Sequence, residues 1–147
     1  MNPRKFLLLW LAVGFFLLVF CQNGNQAEAL YYQGQSSYQA GNYEQAIANY
    51  TKAIALDPTF FRAYHCRGNA LFELEQFQQA IEEYDKALEI NSEFAEVYLN
   101  RGNAYYETGQ LALTVQDFER YVDLAPNAHD RWIVLDALEE LKSELDP

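Results

Sequence analysis

The chain has 147 residues, half of them apolar and 16% aromatic, which is enough for one compact domain and a short extra segment. Its formal net charge is −11. Because such acidity repels phosphate backbones and anionic lipid headgroups, the composition argues against nucleic acid and favours a partner with a neutral or basic contact surface.

Residues 1–21 have the pattern of an export signal or a membrane anchor. Arg4 and Lys5 precede an uninterrupted apolar run over residues 6–20. A basic start of this kind is expected to stay in the cytoplasm. The rest of the chain is therefore predicted to face the extracytoplasmic side, which is the periplasm, a lumen or the cell exterior.

Three fates of this segment stay open. As an uncleaved anchor, the 16 residues over 6–21 span roughly 24 Å, short of a hydrocarbon core of ~30 Å, although basic side chains can snorkel and the bilayer can thin. As a lipoprotein, the chain would be acylated at Cys21, but Phe20 stands where a small residue is normally needed. Bulky residues before Cys21 argue against simple cleavage. The first two fates attach the domain to a membrane.

A 34-residue period organises the chain after a linker at residues 22–26. The columns that keep this register include Gly34, Gly68 and Gly102; Ala46, Ala80 and Thr114; and Tyr50, Tyr84 and Phe118. Each copy has apolar stripes at helical spacing and is predicted to form two helices, over 27–58, 61–92 and 95–126. Such hairpins cannot bury their stripes alone, so three of them are predicted to stack as an all-α solenoid with a concave face.

The pattern within each copy can be compared with known repeats. The matching residues are Leu30, Gly34, Ala46, Tyr50, Ala53 and Pro58 in the first copy; Tyr64, Gly68, Leu71, Ala80, Tyr84 and Ala87 in the second; and Tyr98, Gly102, Tyr105, Phe118 and Pro126 in the third. This pattern resembles the tetratricopeptide repeat. The resemblance implies a tetratricopeptide-type solenoid of three helix-turn-helix repeats. Ser37 and Ser92 depart from the pattern, and Thr114 and Tyr121 replace two small alanines, which predicts a wider final helix pair.

Residues 127–147 are predicted to form a C-terminal capping helix. The apolar residues that share one face at helical spacing are Val134, Leu138, Leu141 and Leu145. Asn127 is predicted to be the N-cap of this helix. Trp132 is expected to seal the edge of the third repeat.

The resemblance also implies a ligand groove along the first helix of each repeat. By position, the residues expected to line this groove and bind the partner are Tyr31, Gln35, Tyr38, Arg62, His65, Asn69, Phe72, Leu99, Asn103 and Tyr106. Amides can pair with the backbone of an extended peptide, and aromatic rings bury a large area at low entropic cost.

Some tetratricopeptide domains hold a C-terminal carboxylate with lysines placed beside asparagines. Asn69 and Asn100 resemble the asparagines of that clamp. Tyr31 and Glu96, however, stand where the clamp would need lysines. The sequence therefore disfavours an acidic C-terminal tail as the ligand.

The sequence offers no motif for catalysis, a cofactor, a metal or a small-molecule substrate. His65 and Cys66 are adjacent, but neighbours on a helix point about 100° apart and do not form a nucleophile–base pair. The sequence thus predicts a non-catalytic interaction module, a membrane-tethered adaptor or assembly factor that binds a protein or peptide in the concave groove. The alternative is a permanent structural subunit of a membrane complex that uses the convex face and the capping helix.

Overall fold

The computed structural model describes residues 24–145, and within them it contains seven α-helices and no strand. The helices are α1 (24–39), α2 (Tyr43–Leu56), α3 (Phe61–Glu73), α4 (Phe77–Ile90), α5 (Ala95–Glu107), α6 (Leu111–Leu124) and α7 (Arg131–Leu145). The all-α prediction is confirmed. Residues 24–26, predicted to lie in the linker, already belong to α1, one turn before the buried Ala27. The predicted export signal or membrane anchor, residues 1–21, lies outside the described residues. None of the seven helices is long and apolar enough to cross a membrane.

Successive helices pair as three hairpins: α1 with α2, α3 with α4, and α5 with α6. The turns between them need one residue in the left-handed region, and Gly41 and Gly109 supply it with φ of 76° and 74°. The middle hairpin uses Glu75 at φ 59° instead. A side chain at such a φ costs about 1–2 kcal/mol, so the middle turn is held by its surroundings rather than by local preference.

Each hairpin closes where a glycine on its first helix lies under an aromatic ring of its second helix. A Cβ at Gly34 would lie 2.5 Å from Tyr50, one at Gly68 2.6 Å from Tyr84, and one at Gly102 2.7 Å from Phe118. The third pair is therefore as close at this point as the other two, and the wider spacing predicted for it is wrong. Thr114 is accommodated in this hairpin. Its side chain is fully buried, and its hydroxyl donates a hydrogen bond to the backbone of its own helix.

The inter-repeat arginines, Arg67 and Arg101, join each hairpin to the one before it. Arg67 donates three hydrogen bonds to the carboxylate of Glu83 in its own repeat and one, at 3.0 Å, to Thr51 of the preceding repeat. Arg101 repeats this arrangement one period later, with Asp117 at 2.7 Å and Asp85 at 2.5 Å. The side chains of these bidentate pairs are mostly buried, which makes the pairs more stabilising than solvent-exposed ion pairs.

The last helix, α7, packs on the third repeat through part of its predicted stripe. Val134, Leu138 and Leu141 are buried against Phe118 and its neighbours. Leu145 is 47% exposed, so the stripe ends one turn earlier than predicted. The capping role of α7 is confirmed for the three buried residues.

Two details predicted for α7 are wrong. The helix begins at Arg131, and Asn127 lies in the preceding loop rather than at an N-cap. That loop makes two consecutive turns, in which the Ala128 N–H donates to Ala125 and the Arg131 N–H donates to Ala128. Trp132 is 68% exposed and does not seal the third repeat, because it precedes the buried Val134 by two residues and so lies roughly 200° around the helix from it.

Candidate functional site

The concave face contains a polar cleft between the first helices of the three repeats. It has a volume of about 250 Å³. The side chains that line this polar cleft are Tyr38, Asn69, Phe72, Glu73, Tyr84, Asn100 and Asn103. Since α1, α3 and α5 all contribute, one ligand in the cleft could contact every repeat.

A hydrogen-bonded network fixes the amides on the floor of the polar cleft. Tyr84 Oη donates to Asn69 Oδ1 at 2.8 Å, and Asn100 Nδ2 donates to the same oxygen at 3.0 Å. The second hydrogen of Asn100 Nδ2 points to His65 Nε2 at 2.9 Å. Asn69 Oδ1 therefore already accepts two hydrogen bonds, one for each of its lone pairs. Its Nδ2 has no acceptor within bonding distance among residues 24–145, and it can donate to a ligand.

His65 supports this network from the core instead of lining the cleft. Its side chain is buried, and its ring lies edge-on to Phe94 at 5.2 Å. Burial lowers the pKa of His65 to about 4, so the imidazole is neutral at physiological pH. A neutral ring can accept the Asn100 hydrogen at Nε2, which requires its own proton to be on Nδ1. His65 therefore orients Asn100.

At the rim of the polar cleft, Tyr38 and Glu73 join α1 to α3. Tyr38 Oη donates to Glu73 Oε1 at 3.1 Å. Burial is the main cause that raises the pKa of Tyr38 to about 12, and this hydrogen bond is the second cause. The phenol therefore remains a donor. Glu73 is the charged member of the cleft lining, and no lysine, arginine or histidine lines it. The cleft thus offers amides and one carboxylate, a surface suited to a peptide backbone or a cation rather than to a carboxylate tail.

The structure brings some of the predicted groove residues together and separates others. Tyr38, Asn69, Phe72 and Asn103 meet in the polar cleft. Leu99, Asn103 and Tyr106 line a neighbouring cavity next to α7. Asn103 therefore belongs to both.

Two other predicted groove residues, Tyr31 and Arg62, lie outside these cavities. Tyr31 is buried against the rings of Tyr50 and Phe60, and its hydroxyl accepts a hydrogen bond at 2.9 Å from Gln35, which lines a further cavity with Tyr38 and Asn69. Arg62 is exposed above the Phe61 ring, away from the polar cleft. Tyr31 is a core residue because its position faces the second helix of its own hairpin.

The list of predicted groove residues missed Glu73, Tyr84 and Asn100, all of which line the polar cleft. Asn100 did carry a signal in the sequence, since it matches an asparagine of the carboxylate clamp. Tyr84 belongs to a second helix and reaches the cleft with its hydroxyl alone. Nothing in the repeat pattern distinguishes that hydroxyl from the rest of a core aromatic.

The described residues present no arrangement suited to nucleophilic or metal chemistry. Burial raises the pKa of the Cys66 thiol, which donates to the Tyr31 hydroxyl at 3.7 Å, so it is protonated at neutral pH. Within residues 24–145, no group of three or more His, Cys, Asp or Glu side chains could hold a metal ion.

The comparison with family models agrees with this geometry. A model described as TPR repeat matches residues 34–75 and 68–109, and one described as tetratricopeptide repeat matches residues 95–128. The chain belongs to the tetratricopeptide repeat family. A search of curated proteins gave no significant match.

Several solved structures superpose closely on the chain. The first TPR domain of Spaghetti (RPAP3), bound to the HSP90 peptide SRMEEVD, has a TM-score of 0.78 and 27% identity over 84% of this chain and 96% of that one. The OM64 TPR domain of Arabidopsis has a TM-score of 0.76 and 27% identity over 82% and 98%. MamA has a TM-score of 0.74 and 25% identity over 81% of this chain and 70% of that one.

Proposed function

We propose that the chain is a non-catalytic adaptor, tethered to a membrane by its first residues, which holds a protein or peptide partner in the concave groove. The observation that carries the proposal is the polar cleft. It presents the hydrogen-bonded amides of Asn69 and Asn100 and the exposed amide of Asn103, across two repeats. Fixed amides bind a peptide backbone without a further loss of side-chain entropy.

The similar domain of Spaghetti (RPAP3) supports a peptide as the ligand, because that protein was solved with a peptide bound. Its peptide, SRMEEVD, is acidic. The polar cleft of this chain has Glu73 and no basic side chain, so an acidic tail would meet repulsion without a compensating cation. We therefore propose an internal segment, neutral or basic, in place of an acidic C-terminal tail.

Partner capture from native membranes tests the groove. The tagged full-length chain, solubilised in mild detergent, is compared with the double variant Asn69→Ala/Asn103→Ala. The matched control is Gln79→Ala/Gln116→Ala, two exposed amides on second helices. We expect the partner to be lost only from the groove variant, with helix content unchanged. A partner retained by both variants would refute groove binding and support a structural subunit that uses α7 or the convex face.

The membrane tether is a separate part of the proposal, and it rests on the basic and apolar pattern of residues 1–21. Cys21→Ala should leave an uncleaved anchor attached but release or mislocalise a lipoprotein. A reporter enzyme fused after Pro147 and active only outside the cytoplasm would support the extracytoplasmic location. Activity inside the cytoplasm would refute it.

A further inference from the structure

A second cavity, the α5–α7 cleft, lies at the C-terminal end of the concave face and has a volume of about 430 Å³. Its inner wall is apolar, with Leu99 of α5, Phe118 of α6 and Val134 of α7 among the side chains that line it. Ile133 and Tyr106 stand at its mouth and are 51% and 55% exposed. Volumes of about 300–1,000 Å³ are typical of ligand sites, so this cleft can take a bulky apolar side chain.

The rim of the α5–α7 cleft is acidic. Asp130, Glu140 and Glu144 line it, and no basic side chain is among its lining residues. The one lysine of α7, Lys142, is paired with Glu119 of α6 at 2.6 Å, on another side of the helix. The Tyr121 hydroxyl donates to Asp130 and lowers the pKa of that carboxyl group, which keeps it ionised. An occupant with basic groups beside its apolar one would complement this rim.

The α5–α7 cleft adjoins the polar cleft at Asn103, which lines both cavities. An extended segment that pairs its backbone with the amides of the polar cleft can place a side chain in the α5–α7 cleft. A second copy of this chain is a poor occupant, because its net charge of −11 would be brought against three carboxylates.

We propose that the α5–α7 cleft is the specificity pocket of the groove and takes a bulky apolar side chain of the partner, flanked in the partner's sequence by lysine or arginine. This inference rests on the proposed function, since it assumes a peptide segment in the groove. The apolar wall supplies the affinity and the carboxylate rim selects the flanking charges.

Defined peptides test the pocket directly. The probes are three fluorescently labelled 12-residue peptides in a Gly/Ser background: one with phenylalanine flanked by lysines, one with alanine in place of phenylalanine, and one with glutamates in place of the lysines. The full-length chain in zwitterionic nanodiscs is titrated into each, with empty nanodiscs as the blank. We expect the Phe/Lys peptide to bind at least ten-fold more tightly than the other two, and more weakly at high salt.

Matched variants locate the binding to the cleft. Ile133→Ala removes an exposed apolar side chain at the mouth, and Trp132→Ala is its control, because Trp132 is also exposed but does not line the cleft. Glu140→Lys reverses a rim charge, and Glu139→Lys is its control on a neighbouring exposed position. We expect Ile133→Ala and Glu140→Lys each to weaken binding roughly ten-fold and the two controls to change it less than two-fold.

The outcomes separate this inference from the proposed function. If the Phe/Lys peptide binds no better than its alanine counterpart, or if Ile133→Ala has no effect, the pocket is refuted even where the Asn69/Asn103 variant loses the native partner. If the peptide depends on Ile133 while the native partner survives the Asn69/Asn103 substitutions, the pocket stands and groove binding fails. Concentration-dependent dimerisation abolished by Ile133→Ala would identify a second copy as the occupant and overturn the inference.

Discussion

The buried imidazole of His65 should make the protein less stable in mild acid. In the folded state its pKa is about 4, whereas an unfolded histidine titrates near 6.5. Because the folded pKa is the lower one, the unfolded chain binds the proton first as pH falls. The contribution of His65 to the free energy of unfolding is therefore constant above about pH 7.5. It falls between about pH 6.5 and 4 and is constant again at lower pH.

The size of the effect follows from the shift. Each pH unit between the two pKa values removes about 1.4 kcal/mol, so the loss approaches 2 kcal/mol at pH 5 and about 3 kcal/mol at pH 4. The geometry gives the reason. A protonated Nε2 would face the Asn100 amide nitrogen at 2.9 Å, donor against donor. Turning the Asn100 amide to accept that proton would remove its bond to Asn69 Oδ1.

Urea unfolding, followed by helical circular dichroism at pH 7.5, 6.0 and 5.0 in a non-ionic detergent, measures this loss. His65→Gln is neutral at every pH and keeps an acceptor, while His129→Gln changes an exposed loop histidine and serves as the control. Relative to His65→Gln, the wild type should lose about 2 kcal/mol between pH 7.5 and 5.0. Parallel pH profiles for the two proteins would refute the assignment of a buried, neutral His65.

Three other substitutions test the packing of the solenoid at pH 7. Gly68→Ala places a Cβ 2.6 Å from a buried tyrosine ring and should lower the free energy of unfolding by about 1–3 kcal/mol, whereas Gly24→Ala, with open space around it, should change it by less than about 0.5 kcal/mol. Arg101→Met leaves Asp117, which is 4% exposed, without its cation and should lower the free energy of unfolding by about 3 kcal/mol. Asp117→Asn in the same background should restore part of this loss. An unchanged free energy of unfolding would mean that the pair is not formed. Trp132→Ala should change the free energy of unfolding by less than about 0.5 kcal/mol, and a larger loss would show that this side chain is packed.

The repeat architecture could be predicted from the sequence because it depends on local periodicity. A glycine every 34 residues, in register with an aromatic residue 16 positions later, requires one helix to lie against the next in each copy. The structure confirms this contact at Gly34, Gly68 and Gly102. The same register predicts that these helices stack, although it does not give the angles between hairpins.

The floor of the groove could be predicted only in part. The repeat pattern places Tyr31 and His65 on first helices, but it does not show that both rings turn into the core. His65 is retained there by the Asn100 amide, which lies in a different repeat. The binding roles of the groove residues stay predictions that the variants above test.

The C-terminal helix shows what residue type alone cannot decide. Asn127 is a suitable N-cap by its chemistry, yet the backbone makes two turns before Arg131. Val134, Leu138 and Leu141 face the third repeat, and helical spacing then places Trp132 on the opposite, exposed side of α7. The α5–α7 cleft depends on that same three-dimensional placement and has no counterpart in the linear pattern.

The inter-repeat arginines give the second and third hairpins one face that donates and one that accepts. Arg67 reaches back to Thr51 and Arg101 reaches back to Asp85, residues one period apart. Glu119, the next acceptor in that series, is met by Lys142 of α7, which ends the series without leaving a carboxylate unpaired. Removal or duplication of the middle 34-residue unit would therefore again join a donating face to an accepting face. Unequal recombination in the gene could change the length of this solenoid without creating an orphaned charge at any junction.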